Sequence, residues 1–164
     1  MKNKEKDIVK GIIAGAVAGL VATFVMTQYQ NLTQNFAGDD EDAEKNDDPA
    51  TVKAANMITK NVFDHPLKKS EKDTAGQVMH YLMGGVSGAI YGATTEITGK
   101  ARMAAGFPFG TAVWAIADDV VVPALGLAKS PTQTSLSSHA YALTSHWVYG
   151  AVSEFVRKAV RSAL

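Results

Sequence analysis

The stretch that decides the fold is residues 11–26, GIIAGAVAGLVATFVM, in which glycine recurs at every fourth position. The same spacing returns in residues 82–93, LMGGVSGAIYGA. An interior glycine costs a water-soluble helix about 1 kcal/mol relative to alanine, so two such ladders would weaken soluble helices considerably. In a bilayer the spacing leaves a flat groove, along which a second backbone can approach closely. The ladders therefore predict membrane helices with six packing glycines: Gly11, Gly15, Gly19, Gly84, Gly88 and Gly92.

Composition narrows the class of protein. The 164 residues are enough for one domain, and the formal net charge is zero. Cysteine is absent, which excludes disulfides, thiolate catalysis and cysteine-based metal sites. No basic stripe with interleaved aromatic residues occurs, so we expect no nucleic-acid partner. The mean hydropathy is close to zero, but ten of the sixteen acidic residues lie between Asp39 and Asp73, which leaves the other long stretches almost uncharged.

Four segments reach the length of about 20 residues that crossing ~30 Å of hydrocarbon requires. They are residues 8–27, 78–98, 103–125 and 138–156. The first resembles a signal peptide, but no small-x-small cleavage site follows it promptly, which favours an uncleaved anchor helix. Residues 31–77 hold an acidic loop at 39–48, whose role the sequence does not reveal, and an amphipathic surface helix. The sequence thus predicts one all-α integral membrane domain over residues 1–164, a four-helix transmembrane bundle with glycine-ladder packing and one interfacial helix.

The basic residues give an independent check on the number of spans. With four spans, every basic segment falls on one side of the membrane, whereas three or five spans would break this pattern. The segments are the N-terminal lysines, the turn with Lys100 and Arg102, and the C-terminal Arg157, Lys158 and Arg161. Because basic loops stay in the cytoplasm, both termini are predicted to be cytoplasmic.

Ionisable residues inside the predicted spans form two groups. An outer group consists of His80, Asp118, Asp119, His139 and His146, with Asp119 the less expected member because it lies about 100° around the helix from Asp118. Such a group is typical of a metal site for zinc, iron or manganese or of a proton relay, and two histidines can also bind haem; alternatively, the side chains bond one another and fix helix register. On the cytoplasmic side, Glu96 and Glu154 are expected to form ion pairs with Arg102 and Arg157. No catalytic motif is present, which argues against an enzyme without excluding one.

Several motifs occur in this sequence in an order that resembles that of a known family. After the glycine-rich first span come ATVKAA (50–55), HYLMGGVSGAIYGATTE (80–96), FGTAVWAIADDVVVPALGL (109–127) and SHWVYGAVSE (145–154). Together they resemble the bacterial YagU-like membrane proteins, which share a domain of unknown function. The likeness falls on His80, Glu96, Pro123, the Gly126–Leu127 pair, His146 and Glu154, whereas the acidic loop departs from it. It implies a multi-pass protein of the bacterial inner membrane but supplies no reaction.

Three functions are compatible with these patterns. The first is a small structural or accessory membrane protein, or one related to stress tolerance, with lipid and either a second copy or a membrane-complex component as partners. The second is a proton or ion transport module that uses the outer His and Asp residues. The third is a metal-dependent membrane enzyme. The sequence does not identify a cofactor, bound metal, substrate, oligomeric state or partner.

Overall fold

The computed structural model describes residues 2–34, 47–99 and 103–164, and every regular element in these ranges is helical. The α-helices are α1 (Lys2–Thr33), α2 (Ala50–Phe63), α3 (Lys72–Thr98), α4 (Phe107–Val113), α5 (Val122–Ala124) and α6 (Leu136–Ala163). A π-helical segment, Trp114–Val121, joins α4 to α5, and 3₁₀ turns occur at Met103–Gly106 and Pro131–Gln133. The predicted all-α class is confirmed.

The helices differ from the predicted spans in their bounds. Helix α1 extends beyond residues 8–27 at both ends, α3 begins before residue 78, and α6 continues past residue 156. The third predicted span is not one regular helix, because the π-helical segment interrupts it. Most of the acidic loop at 39–48, together with Lys100 and Arg102 of the predicted basic turn, lies outside the described residues.

Two helical stretches in the described part of the chain, Glu5–Thr33 and Ala104–Ala124, are long and apolar enough to cross a membrane. The sequence predicts four such stretches. Helices α3 and α6 have 27 and 28 residues, which is ample length. However, they do not reach the same hydropathy, because threonine, serine, histidine and charged residues occupy many of their positions.

The glycine ladders bring α1 and α3 into direct antiparallel contact. Gly15 lies against Gly88, and the pairs Gly11–Gly92 and Gly19–Gly84 flank it on either side. A Cβ atom added at any of these six glycines would come within 3.0 Å of an atom of the opposite helix. Because five of the six would meet a backbone carbonyl, the two helices cannot pack this closely with any larger residue.

A second glycine contact, which was not predicted from the sequence, joins α4 to α6. A Cβ added at Gly110 would collide with the backbone of His146, and one at Gly150 would lie 2.8 Å from the backbone nitrogen of Gly110. Gly106 and Gly110 repeat the four-residue spacing of the ladders, which could have revealed the contact. This junction fixes the height of the π-helical segment relative to α6.

Several polar and charged side chains are buried, and many large apolar side chains are exposed. The largest fully buried side chains are polar or charged and include Arg157, Glu154 and Thr23. Large apolar side chains such as Ile90, Ile116 and Phe155 are exposed by 60 % or more. Water-soluble monomers rarely expose large contiguous apolar surfaces, so these exposed side chains are consistent with the membrane association that the two apolar stretches suggest.

Helix α2 packs against the N-terminal part of α3. Val52 and Ala55 are buried, and Val52 lies against Gly76, where a Cβ would come within 2.6 Å of the valine Cγ2. The Lys53 ammonium binds the Asp47 carboxylate at 2.6 Å, and Lys72 pairs with Asp48. These contacts fix the end of the acidic segment to the helical body.

Candidate functional site

The site is built around the π-helical segment Trp114–Val121. Pro123 has no amide hydrogen, and its ring excludes the usual bond to the carbonyl of Asp119 four residues earlier. The helix adjusts by bonding five residues back, as the amide of Val122 does to the carbonyl oxygen of Ala117. Such π-helical turns occur frequently at functional sites. Here the widened turn carries Trp114, Asp118 and Asp119.

These three residues open into a cavity of about 240 Å³ between the π-helical segment, α6 and the end of α1. We call it the outer chamber, because it lies at the end of the bundle opposite the chain termini. Its walls carry two carboxylates, two imidazoles, an ammonium group, an indole and a phenol. The residues that supply them are Asp118, Asp119, His139, His146, Lys129, Trp114 and Tyr141.

Each carboxylate of the chamber faces one histidine. Asp118 Oδ2 lies 3.6 Å from His146 Nδ1, and Asp119 Oδ1 lies 3.6 Å from His139 Nδ1. The structure therefore brings together four of the five residues of the predicted outer group, including Asp119, which was the less expected member. Both distances exceed that of a normal hydrogen bond, so the pairs are loosely associated.

Backbone carbonyls orient the two histidine rings differently. His146 Nδ1 lies 2.9 Å from the carbonyl oxygen of Ala142, and His139 Nε2 lies 3.0 Å from that of Pro131. A carbonyl oxygen only accepts, so the proton of each neutral ring is on the nitrogen that faces it. The nitrogen facing Asp118 is therefore a donor, whereas the one facing Asp119 is a donor only when the ring carries a second proton.

The fifth residue of the predicted outer group, His80, does not line the outer chamber. It is partly buried on α3 and close enough to His146 for their charges to interact. Trp114 lines the chamber, and its indole Nε1 is shielded from solvent and has no hydrogen-bond partner among the described residues. Trp114, Lys129 and Tyr141 were not predicted as a group, since they are distant in sequence and only the loop and α6 bring them together.

An aromatic layer lies between the chamber and the end of the bundle that holds the termini. Tyr91 stacks on Phe109 with ring centroids 4.1 Å apart, and Phe109 contacts Tyr149 at 5.6 Å. The Tyr149 hydroxyl donates to the carbonyl oxygen of Gly84 at 2.6 Å, which ties α6 to the α3 glycine ladder. The three rings link α3, α4 and α6.

Beneath the aromatic layer, Glu154 and Arg157 form a buried ion pair. Their residues are only 2 % and 1 % exposed. The Arg157 Nε and Nη2 atoms donate to the two carboxylate oxygens at 2.9 and 3.0 Å, and the Tyr91 hydroxyl donates at 3.0 Å. Lys158 also reaches this carboxylate, at 3.1 Å. All the strong acceptor positions of Glu154 are therefore occupied, in contrast to the chamber carboxylates.

Glu96 pairs with a residue that was not predicted as its partner. Its carboxylate accepts from Arg161 Nε at 2.8 Å, and Arg161 Nη2 also binds Asp7 at 2.9 Å. The hydrogen bond that Arg161 donates to Glu96 raises the pKa of Arg161 above its already high usual value. Arg157, one of the two expected partners of Glu96, binds Glu154 instead, and the other, Arg102, lies outside the described residues.

The chamber combines carboxylates with imidazoles, which are side chains that can bind protons or cations. Among the described residues, no three His, Asp or Glu side chains come together in a group that could hold a metal ion. The described residues therefore give no support to the metal site considered from the sequence. The chain matches no protein-family model, and no curated protein or solved structure is significantly similar to it.

Proposed function

We propose that the chain is a four-span protein of a bacterial inner membrane, with both termini in the cytoplasm. Two stretches pass the length and hydropathy requirement, and α3 and α6 pack against the first of them. Exposed apolar side chains such as Ile90 and Phe155, on the two more polar helices, support membrane exposure of these helices as well. We also propose that the chain is related to the YagU-like membrane proteins, which it resembles in the order of its motifs.

Within this frame, the protein acts as a proton or ion transport module. The observation that carries the proposal is the outer chamber, in which two loosely associated His–Asp pairs share one cavity. Ionisable side chains within membrane spans are costly, and those that line cavities commonly mark ion pathways or proton relays.

The other end of the bundle supplies the barrier that transport requires. The aromatic layer of Tyr91, Phe109 and Tyr149 separates the chamber from the Glu154–Arg157 pair. A transport cycle therefore needs this layer to part, which makes opening of the inner half the conformational step. The ion would enter from the end of the bundle that holds the outer chamber.

The test is a flux assay on purified protein in proteoliposomes that enclose a pH-sensitive dye. An imposed pH gradient should dissipate faster than in empty vesicles, and Asp118→Asn should slow the rate at least tenfold. Asp64→Asn is the matched control, because it removes a carboxylate from an exposed turn outside the chamber and should leave the rate unchanged. Equal rates with and without the protein, tested with Na⁺, K⁺ and NH₄⁺ gradients as well, would refute the transport function.

The accessory role is the second candidate, and the closely packed inner half favours it. The glycine ladders and the saturated Glu154 leave little room for movement there. Under this alternative the protein is a rigid helical spacer within a larger membrane complex. Absence of flux, together with stoichiometric co-purification of one membrane partner, would establish it over the transport module.

A further inference from the structure

The two His–Asp pairs of the outer chamber differ in how many protons they need. His146 has its Nδ1 proton within reach of both the Ala142 carbonyl and Asp118, so a neutral ring satisfies this pair. His139 instead donates from Nε2 to the Pro131 carbonyl and turns Nδ1 towards Asp119. In a neutral ring that nitrogen carries a lone pair and can only accept a hydrogen bond. It would then face the Asp119 carboxylate, which also can only accept.

From this geometry we infer that the His139–Asp119 pair is the proton-binding site of the outer chamber. The assignment rests on the proposed function, because it names the group that holds the proton in the same chamber. Uptake forms an N–H bond at His139 Nδ1 with a proton taken from water, and the resulting imidazolium donates to Asp119 Oδ1. Release breaks the same bond and returns the proton to water, so no other reactant is needed.

The groups around the pair are consistent with this assignment. Asp118 on the π-helical segment adds negative charge that favours the imidazolium, whereas Lys129 in the preceding loop and His146 on α6 also line the cavity and oppose it when charged. His80 on α3 is close enough to His146 for their charges to interact. The Trp114 and His139 rings are nearly perpendicular, with their centroids 6.0 Å apart.

A metal ion in place of the proton would require further ligands. The Nδ1 atom and the carboxylate supply two, and the described residues offer no group of three. The proton is therefore the ligand that the two facing acceptors need.

The test is nitrogen NMR of the full chain labelled with ¹⁵N-histidine, in nanodiscs at pH 7. The chain has four histidines, so the His139 signals are assigned by their loss in His139→Gln. We expect both ring nitrogens of His139 to carry protons in the wild type. In Asp119→Asn the ring should become neutral with its proton on Nε2, because the new amide can donate to Nδ1.

Two further variants separate this role from a folding defect. Asp64→Asn, in an exposed turn outside the chamber, should leave the His139 signals unchanged, and Asp119→Glu should restore the doubly protonated ring. A neutral His139 with the same tautomer in the wild type and in Asp119→Asn would overturn the assignment, as would signals that change when the sample is stripped with a chelator. The flux assay is separate: a protonated His139 without flux leaves this site standing and refutes only transport.

Discussion

The two ends of the helical bundle use ionisable residues in opposite ways. In the inner half, Glu154 is buried and accepts hydrogen bonds from Tyr91 and Arg157. In the outer half, Asp118 is partly exposed and lies 3.6 Å from one histidine. A fully bonded charge has a single arrangement and holds the helices in place, whereas a loosely paired one can exchange its partner for a proton or a solute. Glu154 therefore has the contacts of a structural residue, whereas Asp118 remains available to bind a proton or a solute.

The largest loss of stability is expected at Gly88, where there is no space for a side chain. Replacing it with leucine should prevent α1 and α3 from packing, because even a Cβ would come within 3.0 Å of the Gly15 carbonyl and of Gly19. Size-exclusion chromatography in detergent should show aggregation or loss of the protein. Gly85→Ala is the matched control three residues away, since its Cβ would meet the flexible Leu20 side chain at 3.2 Å. A Gly88→Leu protein that unfolds like the wild type would contradict the close packing.

The second largest loss of stability is expected when the Glu154 carboxylate is neutralised. Glu154→Gln leaves the Arg157 guanidinium buried without a counter-charge, and breaking a buried pair in this way typically costs about 3–5 kcal/mol. Thermal unfolding in detergent should therefore begin at a clearly lower temperature. An unchanged unfolding temperature would mean that Glu154 is not the charge that holds the inner half.

A small gain in stability is expected from a substitution in the turn that precedes α4. Ala104 and Ala105 adopt left-handed backbone angles, with φ near 53° and 52°. This conformation costs a residue with a side chain roughly 1–2 kcal/mol, a cost that glycine avoids. After the added chain entropy of glycine is subtracted, Ala105→Gly should raise the free energy of unfolding by up to about 1 kcal/mol. Lower stability would argue that this turn has a different conformation.

The smallest effect on stability should come from the outer chamber. Asp118→Asn removes one partner of a loose, partly exposed pair, and such pairs contribute about 0–1 kcal/mol. The unfolding temperature should stay close to that of the wild type, although the same substitution is expected to slow flux. A loss of stability as large as that of Glu154→Gln would remove the distinction between the two halves.

The sequence predicts the glycine contact well and the polar sites only in part. A four-residue glycine repeat has a direct geometric meaning, so packing glycines such as Gly15 and Gly88 can be identified from their spacing alone. Asp119 was harder to judge, because its direction follows from a π-helical turn and not from the regular 100° step. Arg161 was missed as the partner of Glu96, since 65 residues separate the two and many basic residues lie near the inner end.

The four-span proposal implies that the chamber is open to the outside while the inner half is sealed, and the absence of cysteine allows a direct test. Single cysteines would replace Ser138 in the chamber, the buried Ser153 and the exposed Ser162, and intact cells would be treated with a membrane-impermeant thiol reagent. We predict labelling at position 138 in intact cells, at position 162 only after permeabilisation, and at position 153 in neither case. Labelling at position 162 in intact cells, or protection at position 138, would contradict the account.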